Sequence, residues 1–138
     1  MSHGSTRFFA GCCLAVLLLA GCGRRPAGEV TPEERAAAVA KSCYEALYQG
    51  HPELFLDGRD GAGQLPADYR SQLLDAYRQH VSETESNHRG VRSVAVSDCQ
   101  RDSTLGVMQV FLVVNYGDGT KEEIVTPMVE RNGVWLMK

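Results

Sequence analysis

Aromatic and histidine side chains in the middle of the chain have the residue types that acid–base chemistry uses. The members that recur at helical spacing, and that predict a small pocket, are Tyr44, Tyr48, Tyr77 and His80. Acid–base catalysis also needs a carboxylate base aimed at the same point as an acidic donor, and the pattern offers only Asp98 and one more phenol, Tyr69. Tyrosines at this spacing usually belong to a core with the hydroxyl at its rim, so we predict a pocket and assign no catalytic residue.

Two other segments contain residue types that bind metal ions. The first contains His80, Glu83, Glu85 and His88, but their spacing matches no zinc pattern and is typical of a solvated helix end. The second, Asp57–Gly61, resembles a calcium loop, except that Arg59 stands where a carboxylate or amide is needed. The chain also has neither a phosphate-binding loop nor a Gly-x-Ser-x-Gly motif. We therefore expect no metal site and no cofactor.

The N-terminal segment is typical of an export signal. A polar start with one arginine, Arg7, precedes the twelve-residue apolar run Phe8–Leu19. That run is shorter than the roughly 20 residues of a membrane-spanning helix and suits a signal peptide. Leu19-Ala20-Gly21-Cys22 resembles the lipobox of bacterial lipoproteins, which implies a signal at residues 1–21 and a lipidated Cys22. The alternatives are a secretory signal cleaved elsewhere and a buried N-terminal helix.

If Cys22 is acylated, residues 22–30 form a lipidated tether and the protein faces the periplasm from a membrane. Gly23 follows the lipidated position, and by resemblance to enterobacterial sorting rules this favours the outer membrane over the inner membrane. The formal net charge of −3 argues against a nucleic-acid partner, because such partners need a basic face. The expected partners are therefore the membrane, through the anchor, and a protein or small molecule that the sequence does not identify.

The five cysteines predict one disulfide. Cys12 and Cys13 lie in the apolar run and would be discarded with the signal, while Cys22 would be acylated. Cys43 and Cys99 then remain as a pair in an oxidising compartment, where an even number of cysteines predicts a bridge. The alternative is two buried free thiols, because Cys43 lies on an apolar helix stripe.

The first half of residues 31–138 has helical periodicity. Thr31-Pro32-Glu33-Glu34 is a capping box that begins a helix, and Gly50-His51-Pro52 ends it. A short second helix is predicted over Pro52–Leu56 and a third over Pro66–Val81, followed by a polar connection over Ser82–Gly90.

The second half alternates with a period of two residues, which predicts four strands. They are Val91–Cys99, Gly106–Tyr116, Thr120–Val129 and Val134–Met137. Turn signals at Gly117-Asp118-Gly119 and Asn132-Gly133 separate the later strands. Pro127 cannot donate to a ladder, so it predicts a bulge, an edge or a strand end. The expected fold class is α+β, with three N-terminal helices packed on a curved four-stranded antiparallel sheet.

This order of elements resembles the nuclear transport factor 2-like (cystatin-like) superfamily, and within it small bacterial lipoproteins that carry a domain of unknown function. The segments that carry the resemblance are Ala46–Gly50, Val107–Tyr116, the hairpin Gly117–Val129 and Asn132-Gly133-Val134-Trp135. The resemblance implies a cone-shaped domain over residues 31–138, with helices closing over a bent sheet around a cavity.

Members of that superfamily either bind ligands and partners or catalyse acid–base reactions, so the fold does not decide the function. The absence of a catalytic constellation favours a non-enzymatic binding domain. The alternative is an enzyme of the isomerase or dehydratase type that acts on an apolar small molecule in the cone. In the strand Gly106–Tyr116, the side chains of Val107, Phe111 and Val113 are expected on the outer sheet face, where they could support a homodimer.

Overall fold

The computed structural model describes residues Gly28–Lys138, so the predicted signal, Cys22 and most of the tether lie outside the described residues. The helices are α1 (Pro32–Tyr48), α2 (Pro52–Asp57) and α3 (Ala67–His88), with one 3₁₀ turn at Ala62–Gln64. The strands are β1 (Val91–Asp102), β2 (Val107–Tyr116), β3 (Lys121–Arg131) and β4 (Val134–Met137). Within Gly28–Lys138, no helix has the length and apolar character needed to cross a membrane.

Helix α1 begins and ends as its sequence predicts. The Thr31 hydroxyl accepts from the backbone N–H of Glu34 at 3.1 Å, and the Glu34 carboxylate accepts from the Thr31 N–H at 2.8 Å. This capping box satisfies two backbone donors that the first helical turn would otherwise leave unpaired. After the helix, Gly50 adopts φ +88°, a left-handed conformation that glycine tolerates best.

Helix α3 extends seven residues beyond the predicted end at Val81, so the prediction of a polar connection over Ser82–Gly90 is wrong. The segment contains no glycine or proline until Gly90, and one polar residue, Thr84, faces inward. Its hydroxyl donates to the carbonyl of His80 at 2.8 Å, which lets a threonine be buried in a helix. The stretch is hydrophilic because only one of its faces contacts the rest of the protein, and for that reason its composition resembles that of a loop.

The four strands form one antiparallel sheet in sequence order, and the three helices pack on one face. Alternate residues of β2 (Met108, Val110, Leu112, Val114 and Tyr116) are buried on the helix-facing side, as the period of two predicts. They form the core together with the α1 residues Ala36, Ala40, Cys43 and Leu47. The predicted α+β fold class is confirmed.

Two irregularities shape the sheet edges. The register of β1 against β2 shifts between Val91 and Ser93 and again between Val96 and Asp98, and bulges of this kind bend and twist a strand. Pro127 lies inside β3, with its carbonyl accepting from the N–H of Lys138 beyond the end of β4. In a strand the N–H and C=O of one residue point to the same side, so the N–H that proline lacks would have pointed toward β4 and not toward β2. The proline therefore removes no hydrogen bond between β3 and β2.

The chain after α2 pairs with β4, the strand at one edge of the sheet. The N–H of Met137 donates to the carbonyl of Gly58 at 2.8 Å, and the N–H of Asp60 donates to the carbonyl of Met137 at 2.7 Å. The Arg131 guanidinium then pairs with the Asp60 carboxylate at 2.8 Å. This bridge holds the end of α2 against β4.

Candidate functional site

An aromatic ladder connects the three helices. The Tyr44 and Phe55 rings meet edge to face with centroids 5.1 Å apart, and Phe55 meets Tyr77 in the same way at 5.0 Å. Such pairs are worth about 0.5–1.5 kcal/mol beyond their buried area. The Tyr44 hydroxyl also accepts from the buried hydroxyl of Thr126 at 3.4 Å, so it is turned toward the sheet. Tyr44 and Tyr77 therefore help to hold the helices together.

Next to this ladder, a phenol of α1 meets an imidazole of α3. The Tyr48 hydroxyl lies 3.2 Å from Nε2 of His80, within hydrogen-bonding distance, and the ring centroids are 5.9 Å apart. Tyr48 is half-buried, whereas His80 is exposed. The pair thus stands where the gap between α1 and α3 opens to solvent.

Four further groups lie around the hairpin between β2 and β3. The Tyr116 hydroxyl donates to the Glu122 carboxylate at 2.6 Å. The His88 ring stacks on the Tyr116 ring with centroids 4.3 Å apart, and His88 Nδ1 donates to the Asp118 carboxylate at 3.1 Å. We call Tyr48, His80, His88, Tyr116 and Glu122 the hairpin-end cluster.

The hairpin and the end of α3 fix the geometry of this cluster. The N–H of Gly117 donates to the carbonyl of Gly90 at 2.8 Å, and the N–H of Asp118 donates to the carbonyl of His88 at 2.9 Å. Gly117 is in such close contact that an added Cβ would overlap the carbonyl oxygen of Arg89. A glycine at this position lets the two backbones touch, and that contact places His88 over Tyr116.

The electrostatics of the cluster keep its phenols protonated. Burial raises the pKa of Tyr48 to about 12, with smaller contributions from Tyr44 and from the charge of Glu122. Burial and the hydrogen bond to Glu122 raise the pKa of Tyr116 well above its usual value. Hydrogen bonds from Thr120, and secondarily from His88, lower the pKa of Asp118 to about 2. Near neutral pH both phenols of the cluster are therefore neutral and can donate hydrogen bonds.

The structure brings the predicted pocket residues together in two groups, the Tyr44–Tyr77 ladder and the Tyr48–His80 pair. Tyr69 and Asp98 do not join them: Tyr69 is 48% exposed on α3, and Asp98 accepts from the backbone N–H of Cys99 and from Gln100 on β1. Sequence reasoning missed Tyr116, Glu122 and the role of His88. The signal for the first two was their position on either side of a tight hairpin, six residues apart on the helix-facing side.

The structure contradicts the predicted disulfide between Cys43 and Cys99, because both thiols are free. The Cys99 thiol donates to the carbonyl of Glu33 at 3.5 Å, at the start of α1. Cys43 lies ten residues further along the same helix, which is about 15 Å at 1.5 Å per residue. A disulfide requires Cα atoms within about 7 Å, so the two cysteines cannot bridge without rearranging the fold.

The segments with metal-binding residue types are engaged in other contacts. Glu83 accepts from Gln79, while His80 and His88 contact Tyr48 and Asp118. In the Asp57–Gly61 loop, Asp57 pairs with Arg70 at 2.7 Å, and Asp60 pairs with Arg131. Over Gly28–Lys138, no group of three or more histidine, cysteine or acidic side chains is arranged to hold a metal ion.

Comparison with known proteins identifies the fold. No protein-family model and no curated protein matches the sequence. A crystal structure from Campylobacter jejuni, described as a candidate NTF2-like transpeptidase, superimposes with a TM-score of 0.57 and covers 72% of this chain and 94% of its own. The fold is nuclear transport factor 2-like. At 14% identity, the likeness establishes the nuclear transport factor 2-like architecture and nothing about activity.

The outer face of the nuclear transport factor 2-like sheet carries a short apolar strip. Phe111 and Val113 are partly exposed on β2, and Val125, opposite Phe111 on β3, is 48% exposed. Val107 is only 5% exposed, so it contributes little to this strip. The strip lies between Asp98 and Glu123, which pair with Phe111 and Val113 across the ladder.

Proposed function

We propose that the protein is a lipid-anchored lipoprotein of the cell envelope, facing the periplasm, whose nuclear transport factor 2-like domain binds a partner or small ligand without catalysing a reaction. The hairpin-end cluster is the proposed contact site. The observation that carries the binding role is that the chemistry-bearing groups of this cluster are hydrogen-bonded to neighbouring side chains, with His80 and Glu122 exposed beside them.

The anchor is supported by the sequence. Leu19-Ala20-Gly21-Cys22 ends an apolar run of signal-peptide length, and the eight residues Gly23–Val30 separate Cys22 from Thr31, the N-cap of the first helix. A tether of that length reaches roughly 27 Å, so the domain would work close to a membrane surface. Metabolic palmitate labelling tests the anchor: the wild type should take the label and Cys22→Ser should not. Wild type without label, or labelled Cys22→Ser, would refute it.

Pairing within the cluster argues for recognition over acid–base catalysis. A general base works best when burial or a neighbouring charge tunes its pKa toward neutrality and when it can reach the substrate proton. Glu122, the carboxylate of the cluster, is exposed and already accepts from Tyr116. The raised pKa values of Tyr48 and Tyr116 keep both phenols protonated, so they can donate hydrogen bonds but not accept a proton near neutral pH.

The description of the Campylobacter jejuni protein suggests a test of whether transpeptidation fits this chain. Acyl transfer needs an activated nucleophile. Burial raises the pKa of the Cys43 thiol, and burial together with Glu33 and Asp98 raises that of the Cys99 thiol, so both are poorly reactive. The Ser86 and Ser97 hydroxyls donate to backbone carbonyls. The raised pKa values of the two thiols favour a binding domain over a transpeptidase with a cysteine nucleophile.

Site-specific photocrosslinking tests the contact site. A photoreactive amino acid replaces His80 in the lipidated protein, which is then irradiated in its own membranes. Ser82 is the matched control, because it is exposed on α3 and two residues further along the helix, on nearly the opposite side. We expect an adduct from position 80 and none from position 82. No adduct at position 80, or equal adducts at both positions, would exclude the cluster as the contact site.

The apolar strip of Phe111, Val113 and Val125 supports a homodimer as part of the same proposal. Light scattering on the full chain in detergent should give a dimer, and Val125→Glu should dissociate it, because a charge would be buried in the interface. Glu123→Gln, on the same face, is the control and should stay dimeric. A wild type that is monomeric at high concentration would count against the dimer.

A further inference from the structure

Two turns of the sheet lie at the end opposite the hairpin-end cluster. The β1–β2 turn (103–106) and the β3–β4 turn (Asn132-Gly133) come together there, because alternate turns of an antiparallel meander share one end. Ser103 of the first turn and Trp135 beside the second line the same cavity, so the two turns are neighbours. The ten residues of β2 separate this end from the cluster by about 30 Å.

The polypeptide enters the domain at this same end. The Arg101 guanidinium pairs with the Glu33 carboxylate at 3.4 Å, and the Cys99 thiol donates to the Glu33 carbonyl at 3.5 Å, so the first turn of α1 lies beside the end of β1. Cys22 precedes Gly28, the first described residue, by six residue steps, which span at most about 21 Å. We call the start of α1 and the two turns the tether end.

Three aliphatic side chains are exposed at the tether end. Leu105, in the 103–106 turn, is 60% exposed, and Val134, directly after the β3–β4 turn, is 56% exposed. Val30, just before the helix cap, is also 56% exposed. An aliphatic residue at that position usually packs against the fourth helical residue, but here that residue is Arg35. Single exposed aliphatic residues are common, whereas several at the end where a membrane tether enters indicate a surface that contacts a membrane.

The charges at the tether end have both signs. Glu29, Asp102 and Glu130 are acidic, and Arg35 and Arg101 are basic. In the described part of this end there is thus no excess of positive charge, which recognition of anionic headgroups would need. A contact with lipid would therefore depend on the aliphatic side chains, which can enter the boundary between headgroups and acyl chains.

We propose that the tether end rests on the bilayer surface, with Leu105, Val134 and Val30 inserted among the lipid headgroups. The inference rests on the lipid anchor of the proposed function. It adds an orientation to that function: the hairpin-end cluster points away from the membrane, and a partner reaches it from the aqueous side.

Photocrosslinking to lipid can test this orientation. The full chain, expressed with its lipid, is reconstituted into phosphatidylcholine vesicles that contain no other protein, and flotation shows that it is bound. A photoreactive amino acid replaces Leu105 or Val134, and Lys121, which is exposed at the hairpin end, is the control position. We expect phospholipid adducts from positions 105 and 134, about tenfold or more above position 121, and no increase when anionic phosphatidylglycerol is added.

Variants show whether the aliphatic side chains cause the contact. With the photoreactive residue at position 103, the double variant Leu105→Asp and Val134→Asp should reduce phospholipid adducts about tenfold, because carboxylates are costly to bury in lipid. Leu54→Asp is the matched control and should leave the adducts unchanged, since Leu54 is 59% exposed but lies on α2.

The outcomes separate this inference from the anchor itself. Wild type that does not float with the vesicles would refute the lipid anchor and the orientation with it. The orientation alone is overturned if the protein floats but positions 105 and 134 give no more phospholipid adduct than position 121, or crosslink only to a second copy of the chain. Adducts that the double variant leaves unchanged would overturn it as well.

Discussion

The backbone contact at Gly117 predicts that a single methyl group will loosen the hairpin-end cluster. In Gly117→Ala, the new Cβ would lie well inside the van der Waals contact distance of the Arg89 carbonyl oxygen. The φ angle of Gly117 is not in the left-handed region, so the conformation itself suits alanine and the whole effect comes from this overlap. Either the hairpin moves away from α3, or the end of α3 unwinds.

The size of the effect follows from the contacts that such a movement breaks. Two backbone hydrogen bonds join the segments, Gly117 to Gly90 at 2.8 Å and Asp118 to His88 at 2.9 Å. Each is worth about 1 kcal/mol. Residual crowding in a packed contact costs a further 1 kcal/mol or so. We therefore expect a loss of about 3 kcal/mol, and at roughly 4 °C per kcal/mol the melting temperature should fall by about 12 °C.

Gly63→Ala is the matched control, since an added Cβ at Gly63 meets no atom within 4 Å and its φ is not left-handed. Thermal and urea unfolding of both variants measure the stability difference, and hydrogen exchange at the Gly117 and Asp118 amides reports the contact itself. We expect faster exchange at both amides in Gly117→Ala only. The reasoning fails if Gly117→Ala unfolds at the same temperature as Gly63→Ala and keeps both amides protected.

Three further predictions follow from the thiols and the titrating groups. Alkylation of the denatured, unreduced protein followed by mass spectrometry should find Cys43 and Cys99 both modified. Unlabelled protein with a mass two hydrogens below that of the reduced chain would instead show that the two cysteines form a disulfide. In a spectrophotometric titration of the five tyrosines, Tyr48 and Tyr116 should ionise at higher pH than the others, and Tyr48→Phe should remove the component near pH 12. Because the pKa of Tyr48 is raised in the folded state, its contribution to the free energy of unfolding is lost as pH rises from about 10 to 12. The pKa of Asp118 is lowered in the folded state, so its contribution to the free energy of unfolding is present above pH 3.8 and is lost as pH falls toward about 2. Asp118→Asn should therefore reduce the slope of the free energy of unfolding against pH between about 2 and 3.8, and an unchanged slope would contradict this.

Local signals predicted most of the fold. The capping box at Thr31, the glycine stop at Gly50 and the period of two in β2 each act within a few residues, so the sequence carries them directly. The end of α3 was not predictable in this way. The segment after Val81 has almost no apolar face, and it stays helical because Thr84 is buried and the β2–β3 hairpin binds the helix end. That hairpin is some thirty residues away in sequence, beyond the reach of a local pattern.

The candidate sites show the same limit. Helical spacing placed Tyr44, Tyr48, Tyr77 and His80 on faces that meet, since neighbouring helices pack through their apolar stripes. Glu122 could not be selected, because it is one of several acidic residues near a turn and only the register of β2 with β3 places it beside Tyr116. The disulfide prediction was wrong because it used only the expected oxidising compartment and the even number of cysteines. Whether Cys43 and Cys99 meet depends on their positions in the fold, and Cys99 lies at the start of α1, ten residues before Cys43.

The hydrogen bonds within the hairpin-end cluster limit how a partner can be recognised there. At the hairpin end, the polar groups are satisfied by one another, so a partner must compete with existing hydrogen bonds or bind around them; shape and aromatic surface would then contribute more than new charge pairs.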